Sequence, residues 1–541
     1  MEIDHHIARA SSTSWIPPPG PAPRPPRHPI DPADDPRYAT LSRVTAPNGP
    51  LAALRRRLAE ISDLERMAIL LAWDQEVMMP AAGAEWRAQQ RATLERLAHE
   101  RFADDHVGAL LETSVAETPL DEDLLRVTRR DYDKARRVPS DLVEELAHAG
   151  ATGHEAWTRA RESSDFALFE PHLRRNIELR RRYIACFPEA ERPYDALLDD
   201  YEPGMRTAQA EDVLERLRDG LVALVEAAGP SADDALVTGG PFPTDAQRRV
   251  VETVLRQVGV DDARWRLDVA VHPFAATVSP GDVRLTTRYA EDDLDSLFCT
   301  LHEFGHGLYE ANIDTALARS PLGTGVSSAV HESQSRLWEN MVGRSPGFWR
   351  WGFPHLQSAF PERFGGRTWQ DVHRAVNVVR PTLIRVSADE VTYGLHVVLR
   401  FELELALFEG DLDVADLPAA WAERTRAYLG LEVPDDAHGV LQDVHWAEGL
   451  FGYFPTYALG TIISGQLWAR IGAEIPDLDE RFAGGEYGPL ADWLAEHVHR
   501  YGRRLTPNEI VERATGGPLD PGPYLEYVRA KLAAASAGLI A

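Results

Sequence analysis

From residue 51 onward, apolar side chains recur mostly every three to four positions, the period of an amphipathic helix. Segments 51–76, 84–101, 142–162, 168–186, 210–228, 244–258, 291–313, 327–343, 382–409, 414–430 and 459–472 carry this pattern and are predicted as helices. Extended patches are few. The clearest is Arg264-Trp265-Arg266-Leu267-Asp268-Val269-Ala270-Val271, followed after a turn by Asp282-Val283-Arg284-Leu285-Thr286-Thr287. These read as two strands of a small sheet. There is no internal repeat, glycine-rich phosphate loop or coiled-coil run. The expected fold is therefore mainly α, with a small β element just before the helix of 291–313.

Residues 1–48 break the pattern. They hold Pro17-Pro18-Pro19-Gly20-Pro21, then Pro23, Pro25, Pro26, Pro29 and Pro32. Proline fixes φ and removes a backbone donor, so this stretch packs neither as helix nor as strand. It is predicted to be a disordered extension, with a polyproline ligand for some partner as the lesser alternative. Residues 49–541 are expected to form a single domain, although length alone would fit two to four.

Charge and cysteine usage narrow the class. The chain has 57 basic and 85 acidic residues and a net charge of −28, which argues against nucleic acid and anionic membranes as partners. Lys134 and Lys531 are its only lysines. Two cysteines, Cys186 and Cys299, make no disulfide framework and fit a reducing cytosol. No stretch is apolar and long enough to cross a bilayer. The N-terminus lacks the basic and apolar regions of a signal peptide. A soluble cytoplasmic protein is expected.

The chemistry concentrates at His302-Glu303-Phe304-Gly305-His306. On a helix, residues four apart are about 40° apart in azimuth and roughly 6 Å apart along the axis. Two imidazoles so placed can reach one tetrahedral cation with Zn–N near about 2.0–2.1 Å. Glu303 can then take a proton from water as general base, the logic of the H-E-x-x-H metallopeptidases. Asp292, Asp293 and Asp295 suit the positive end of that helix. Leu294, Leu297, Phe298, Leu301 and Leu308 form an apolar stripe, with the two histidines along its flank. Cys299, one turn before His302, reads as a small buried residue before it reads as a ligand. A catalytic zinc usually takes a third protein ligand. Glu332 is favoured, on a second helix that Ser327 or Ser328 can cap. Glu310 and His331 are rivals.

The chain resembles the carboxypeptidase Taq family of metallocarboxypeptidases. The likeness runs from about residue 51 to the end. It rests on His272-Pro273-Phe274, on Asp282-Val283-Arg284-Leu285-Thr286, on the His302–His306 motif and on His331-Glu332-Ser333-Gln334. It continues in Ile384-Arg385-Val386-Ser387-Ala388-Asp389 and in Gly439-Val440-Leu441-Gln442-Asp443-Val444-His445-Trp446. All six occur in family order, and Trp73-Asp74-Gln75 and Pro193-Tyr194-Asp195 share the family's look. The resemblance implies a two-lobed helical body with a deep groove, usually a homodimer. It implies His302, His306 and Glu332 as metal ligands and Glu303 as base. It further implies release of single residues from peptide C-termini with broad tolerance, by zinc, or by cobalt or manganese in its place.

The remaining motifs carry their own chemistry. A substrate carboxylate suits a guanidinium. Arg385 is favoured for it, while Arg284 can instead pair with Asp282. Metal-bound histidines donate their second N–H to an oxygen acceptor, for which Asp282, Asp389 and Asp443 are candidates. Helical peptidases of similar shape place a histidine and a tyrosine against the tetrahedral intermediate. Here His445 and Tyr453 are assigned, with Tyr457 in reserve. His272 either lines the groove or braces the strands. An endopeptidase or dipeptidyl carboxypeptidase with the same ion site is the nearest competing reading. A non-catalytic metal-binding protein is the more distant one.

Overall fold

The computed structural model describes residues 49–227 and 234–537. The proline-rich segment, and with it the expectation of disorder, lies outside the described residues. The chain begins with α1 (Pro50–Val77), α2 (Ala84–Phe102), α3 (Asp105–Thr113), α4 (Pro119–Arg137), α5 (Ser140–Ser163) and α6 (Glu170–Ile184). Next come α7 (Pro193–Leu198), α8 (Thr207–Ala227), α9 (Thr244–Val258) and three strands, β1 (Trp265–Val269), β2 (Ala275–Ser279) and β3 (Asp282–Thr287). Then follow α10 (Asp295–Ala311), α11 (Ser328–Arg336), α12 (Pro346–Ala359), α13 (Pro361–Phe364), α14 (Trp369–Ala375), α15 (Tyr393–Glu409) and α16 (Leu417–Leu429). The chain closes with α17 (Phe454–Glu474), α18 (Leu478–Ala483), α19 (Gly488–His497), α20 (Pro507–Thr515) and α21 (Gly522–Ala537). The architecture is mainly α with one small sheet, as the periodicity predicts.

The sheet has one strand more than expected. Its order is β1-β3-β2, with β1 parallel to β3 and β2 antiparallel to it. The unforeseen strand, β2, is a short alanine-containing run that closes a hairpin with β3 around Pro280-Gly281. Val283 and Leu285 of β3 are fully buried, and the sheet lies directly under α10. At Gly307 of α10 a Cβ would sit 2.7 Å from the Trp265 ring and 2.9 Å from Val283. The sheet therefore sets the height of the metal-motif helix.

The helices depart from the predicted segments in two ways: one segment is shorter than expected, and ten helices (α3, α4, α7, α12, α13, α14, α18, α19, α20 and α21) were not predicted. The segment 382–409 is helical only from Tyr393, apart from a short 3₁₀ turn at Arg385–Ser387. Asp389 accepts from the backbone N–H of Arg380, Val391 and Thr392, which holds 380–392 as a loop. α4, unforeseen, buries only a thin stripe that includes Leu124, Val127 and Tyr132, with charged residues over most of its surface. At the centre, α15 and α17 are buried on nearly all sides. α15 nevertheless carries His396, Arg400 and Glu404 at four-residue spacing, a polar ridge inside the core.

Candidate active site

α10 buries Leu297, Phe298, Leu301 and Phe304, and its other edge carries His302 and His306 into a groove of about 1030 Å³. The second helix, α11, starts at Ser327, whose hydroxyl accepts from the Val330 N–H at 3.2 Å. This puts Glu332 in its second turn. α11 is clamped between α10 and α17 at two glycines. A Cβ at Gly305 would strike the Gln334 carbonyl oxygen, and one at Gly460 would lie 2.7 Å from Glu332 Cβ. That close packing brings Glu332 Oε2 to 3.6 Å from His302 Nε2 and 3.5 Å from His306 Nε2. The three donor atoms all lie within 4.8 Å of one another. Ligands about 2.0–2.1 Å from a tetrahedral zinc are about 3.3–3.4 Å apart. The trio fits such an ion with little adjustment.

Both Nδ1 atoms are engaged, which leaves the Nε2 atoms for the ion. His302 Nδ1 meets Glu339 Oε2 at 2.8 Å, and His306 Nδ1 meets His331 Nδ1 at 2.6 Å. Glu339 lies in a π-helical turn, Leu337–Val342, that extends α11. Glu332 Oε1 accepts from Arg336 Nε at 2.7 Å, and Ser335 Oγ donates to Oε2 at 3.0 Å. Burial opposes ionisation of Glu332, but Arg336 and the two imidazoles hold it well below the usual carboxylate range. Burial likewise opposes charge on His302, yet Glu332, Glu339 and Glu303 raise it to about 9. Glu303 is 7% exposed and lines the groove. Burial pushes its carboxyl up to about 7, with His302 pulling down and Glu332 and Glu339 pushing up.

A second wall comes from Tyr453, Thr456 and Tyr457, where the loop 439–453 runs into α17, with α15 packed behind. Asp443 accepts from Arg385 Nη2 at 2.8 Å and from Arg400 Nε at 2.6 Å. Burial opposes its charge, but the two guanidiniums hold it far below the usual range. Glu404, fully buried, accepts from the Tyr194 hydroxyl (2.6 Å), Trp446 Nε1 (2.6 Å) and the Gly452 N–H (2.8 Å). It thereby pins the loop that leads into Tyr453. Tyr453 and Tyr457 line the groove. His445 does not. It lies behind them, with Nε2 3.2 Å from the Tyr457 hydroxyl and a buried Nδ1 that has no hydrogen-bond partner.

Comparison with known proteins agrees with this geometry. The family model described as carboxypeptidase Taq (M32) metallopeptidase matches residues 53–532. The chain belongs to the carboxypeptidase Taq (M32) family. Thermostable carboxypeptidase 1 of Thermus thermophilus is 44% identical over 494 residues, covering 88% of this chain and 96% of that protein. Carboxypeptidase 1 of Bacillus subtilis is 37% identical over 482 residues, covering 88% and 96%. The crystal structure of an M32 carboxypeptidase from Deinococcus radiodurans R1 superposes with a TM-score of 0.87 at 41% identity, covering 90% of this chain and 99% of that one. This M32 chain is a metal-dependent carboxypeptidase, its substrates are peptides and its cofactor is a divalent metal ion. Among the described residues no helix is long and apolar enough to cross a membrane.

Several residues of the M32 chain lie elsewhere than the sequence suggests. Arg284 is held by both oxygens of Asp282 at 2.8 Å and stacks 4.2 Å over the Trp73 ring. Arg385 is 7% exposed and bound to Asp443. Neither arginine lines the groove. His272 is exposed, and it is Pro273, Phe274 and Ala275 that face the cavity. The three candidate aspartates do not meet the ion-site histidines, because Asp282, Asp389 and Asp443 are taken by Arg284, a loop backbone and two arginines. Glu339 and His331 stand there instead. Glu339 lies seven positions after Glu332, about two helical turns, so helical spacing alone could have found it. Glu310, the rival ligand, faces the Nε2 of His331 rather than those of His302 and His306. Burial, with Asp295, Glu339 and Glu303 nearby, pushes the Cys299 thiol up to about 12, which keeps it protonated and poorly suited to ligation.

Proposed function

We propose that this carboxypeptidase removes one amino acid at a time from peptide C-termini, with His302, His306 and Glu332 holding the ion, zinc above cobalt or manganese, and Glu303 as general base. The observation that carries this reading is the convergence of two Nε2 atoms on Glu332 Oε2 beside a buried carboxylate that makes no hydrogen bond to another described residue. A divalent ion bound there supplies Lewis acidity, which polarises a carbonyl and acidifies water. Glu303, brought close to neutral pKa by its surroundings, takes the proton of the attacking water and passes it to the leaving amine. Tyr453 and Tyr457 offer phenolic donors to the developing oxyanion. His445 steadies Tyr457 from behind, so its part is to orient a donor.

The substrate carboxylate docks at the Tyr457 end. There Arg385, behind the groove surface, lies 5.2 Å from the ring centre of Tyr457 with its Nη1 3.1 Å from the Tyr393 hydroxyl, and it contributes positive charge rather than a direct contact. Arg284 and His272 are left without a substrate contact in this reading. Broad tolerance is supported by a mixed lining, with Phe274 and Val326 beside Asp131, Lys134 and Arg503. A cytoplasmic homodimer completes the proposal, the dimer resting on family resemblance and the compartment on unpaired cysteines.

Mass spectrometry of peptides incubated with metal-loaded protein tests the polarity. One-residue steps from a free C-terminus and no cleavage of the C-terminally amidated peptide are expected. Internal fragments or released dipeptides would establish the endopeptidase or dipeptidyl reading instead.

A further inference from the structure

The two histidines of the ion site are braced differently. His302 Nδ1 reaches a carboxylate directly, at Glu339. His306 Nδ1 reaches another imidazole, His331, and only behind that ring stands a carboxylate, Glu310, 3.4 Å from His331 Nε2. We propose that Glu310 is a positioning residue that acts on the ion site through His331. The inference rests on the reading of His302, His306 and Glu332 as ligands.

Proton inventory gives the direction. Two Nδ1 atoms at 2.6 Å share one proton. If Nε2 of His306 presents its lone pair to an ion, its Nδ1 carries the hydrogen and donates to His331 Nδ1. His331 must then be protonated on Nε2, and that N–H points at Glu310. Glu310 thus selects the tautomer of His331 that accepts from His306.

Glu310 is itself fixed on every side. Its Oε1 accepts from the Gly325 N–H at 2.8 Å and from Thr324 Oγ1 at 3.1 Å, and its Oε2 faces Arg66 Nη2 at 3.5 Å. Arg66, from α1, also donates to the carbonyls of Thr277 (2.7 Å) and Gly323 (2.9 Å). The loop packs on the imidazole so closely that a Cβ at Gly325 would lie 2.7 Å from His331 Cδ2. A carboxylate held this firmly by two segments, α1 and the loop at 324–325, serves orientation of the ring in front of it. An uncharged isostere would keep the shape and weaken the tautomer preference, because an amide oxygen is a poorer acceptor than a carboxylate.

The test is zinc titration of metal-free protein against a chromophoric chelator, with thermal unfolding of the same metal-free samples. Glu310→Gln is expected to weaken zinc binding about 10–100-fold while the metal-free protein still unfolds in one cooperative transition, at a midpoint lowered by the lost Arg66 pairing. His331→Asn is expected to weaken zinc similarly, and the double variant no further, because Glu310 acts only through His331. If Glu310→Gln does not fold, Glu310→Asp, which draws the charge back from His331, is read in the same way. Unchanged zinc affinity in the folded variants, or a double variant whose losses multiply, overturns the inference. His306→Ala separates this from the ligand reading. If it still binds zinc tightly, the ligand assignment fails. If it loses zinc while Glu310→Gln keeps it, only the role of Glu310 fails.

Discussion

The helix pair α10 and α11 and the wall built from loop 439–453 solve opposite problems. On the helix pair every imidazole nitrogen is accounted for. One nitrogen each of His302 and His306 faces Glu332, the other is taken by Glu339 or His331, and the remaining nitrogen of His331 meets Glu310. On the wall the two carboxylates, Asp443 and Glu404, are saturated deep inside, while the Nδ1 of His445, nearer the groove, is under-supplied. His445 Nδ1 has no partner, and Tyr453 and Tyr457 open onto the cavity. The lesson is one of timing. Groups that must grip an ion before substrate arrives are oriented in advance. Groups that meet charge only during reaction keep donors in reserve.

Three measurements bear on that contrast. The largest effect is expected from Glu303→Gln on the helix pair. It should lower kcat/KM about 10²–10⁴-fold with metal stoichiometry unchanged, read by amino-acid release and elemental analysis. A loss of metal in step with activity would make Glu303 part of the grip. A smaller effect is expected on the wall, where His445→Phe should reduce kcat about 10²-fold and leave KM and metal content near wild type. An unaltered kcat would make the wall passive packing and erase the contrast.

The smallest effect concerns stability. Burial pushes Glu404 up to about 7 against the pull of its Tyr194, Gly452 and Trp446 hydrogen bonds and of Arg400. A carboxyl with a raised folded pKa contributes stability that is complete below about pH 4.5 and is lost as pH rises through about 7. The contribution of Glu404 should therefore fall by on the order of 1–3 kcal/mol across that window, and Glu404→Gln should change the slope by that amount. Parallel pH profiles of the unfolding midpoint would show that Glu404 does not titrate there.

How legible each region is in the sequence follows from the same contrast. The helix pair obeys short-range rules. Two histidines four apart, a serine cap and a carboxylate one helix later are spacings within or between neighbouring elements, so His302, Glu303, His306 and Glu332 stand out. The wall is assembled over long separations, with Arg385 and Arg400 meeting at Asp443 and Tyr194 meeting Trp446 at Glu404. Periodicity does not register such pairings. One signal was available. A helix as apolar as α15 has no solvent face for His396, Arg400 and Glu404, so their regular spacing implies buried polar partners. The third strand escaped because β2 is too short and too small in its side chains to alternate visibly. The loop 380–392 escaped because Asp389 competes for backbone donors.

One feature of the groove has a practical side. Lys134 lines it, its ammonium set against Asp199 and Asp200, whereas the other lysine, Lys531, is buried against Glu390. Amine-directed labelling of the folded enzyme is thereby steered, apart from the chain's own α-amino group, to a single side chain that lines the groove. A fluorophore or tether attached there would sense an incoming peptide without any engineered cysteine.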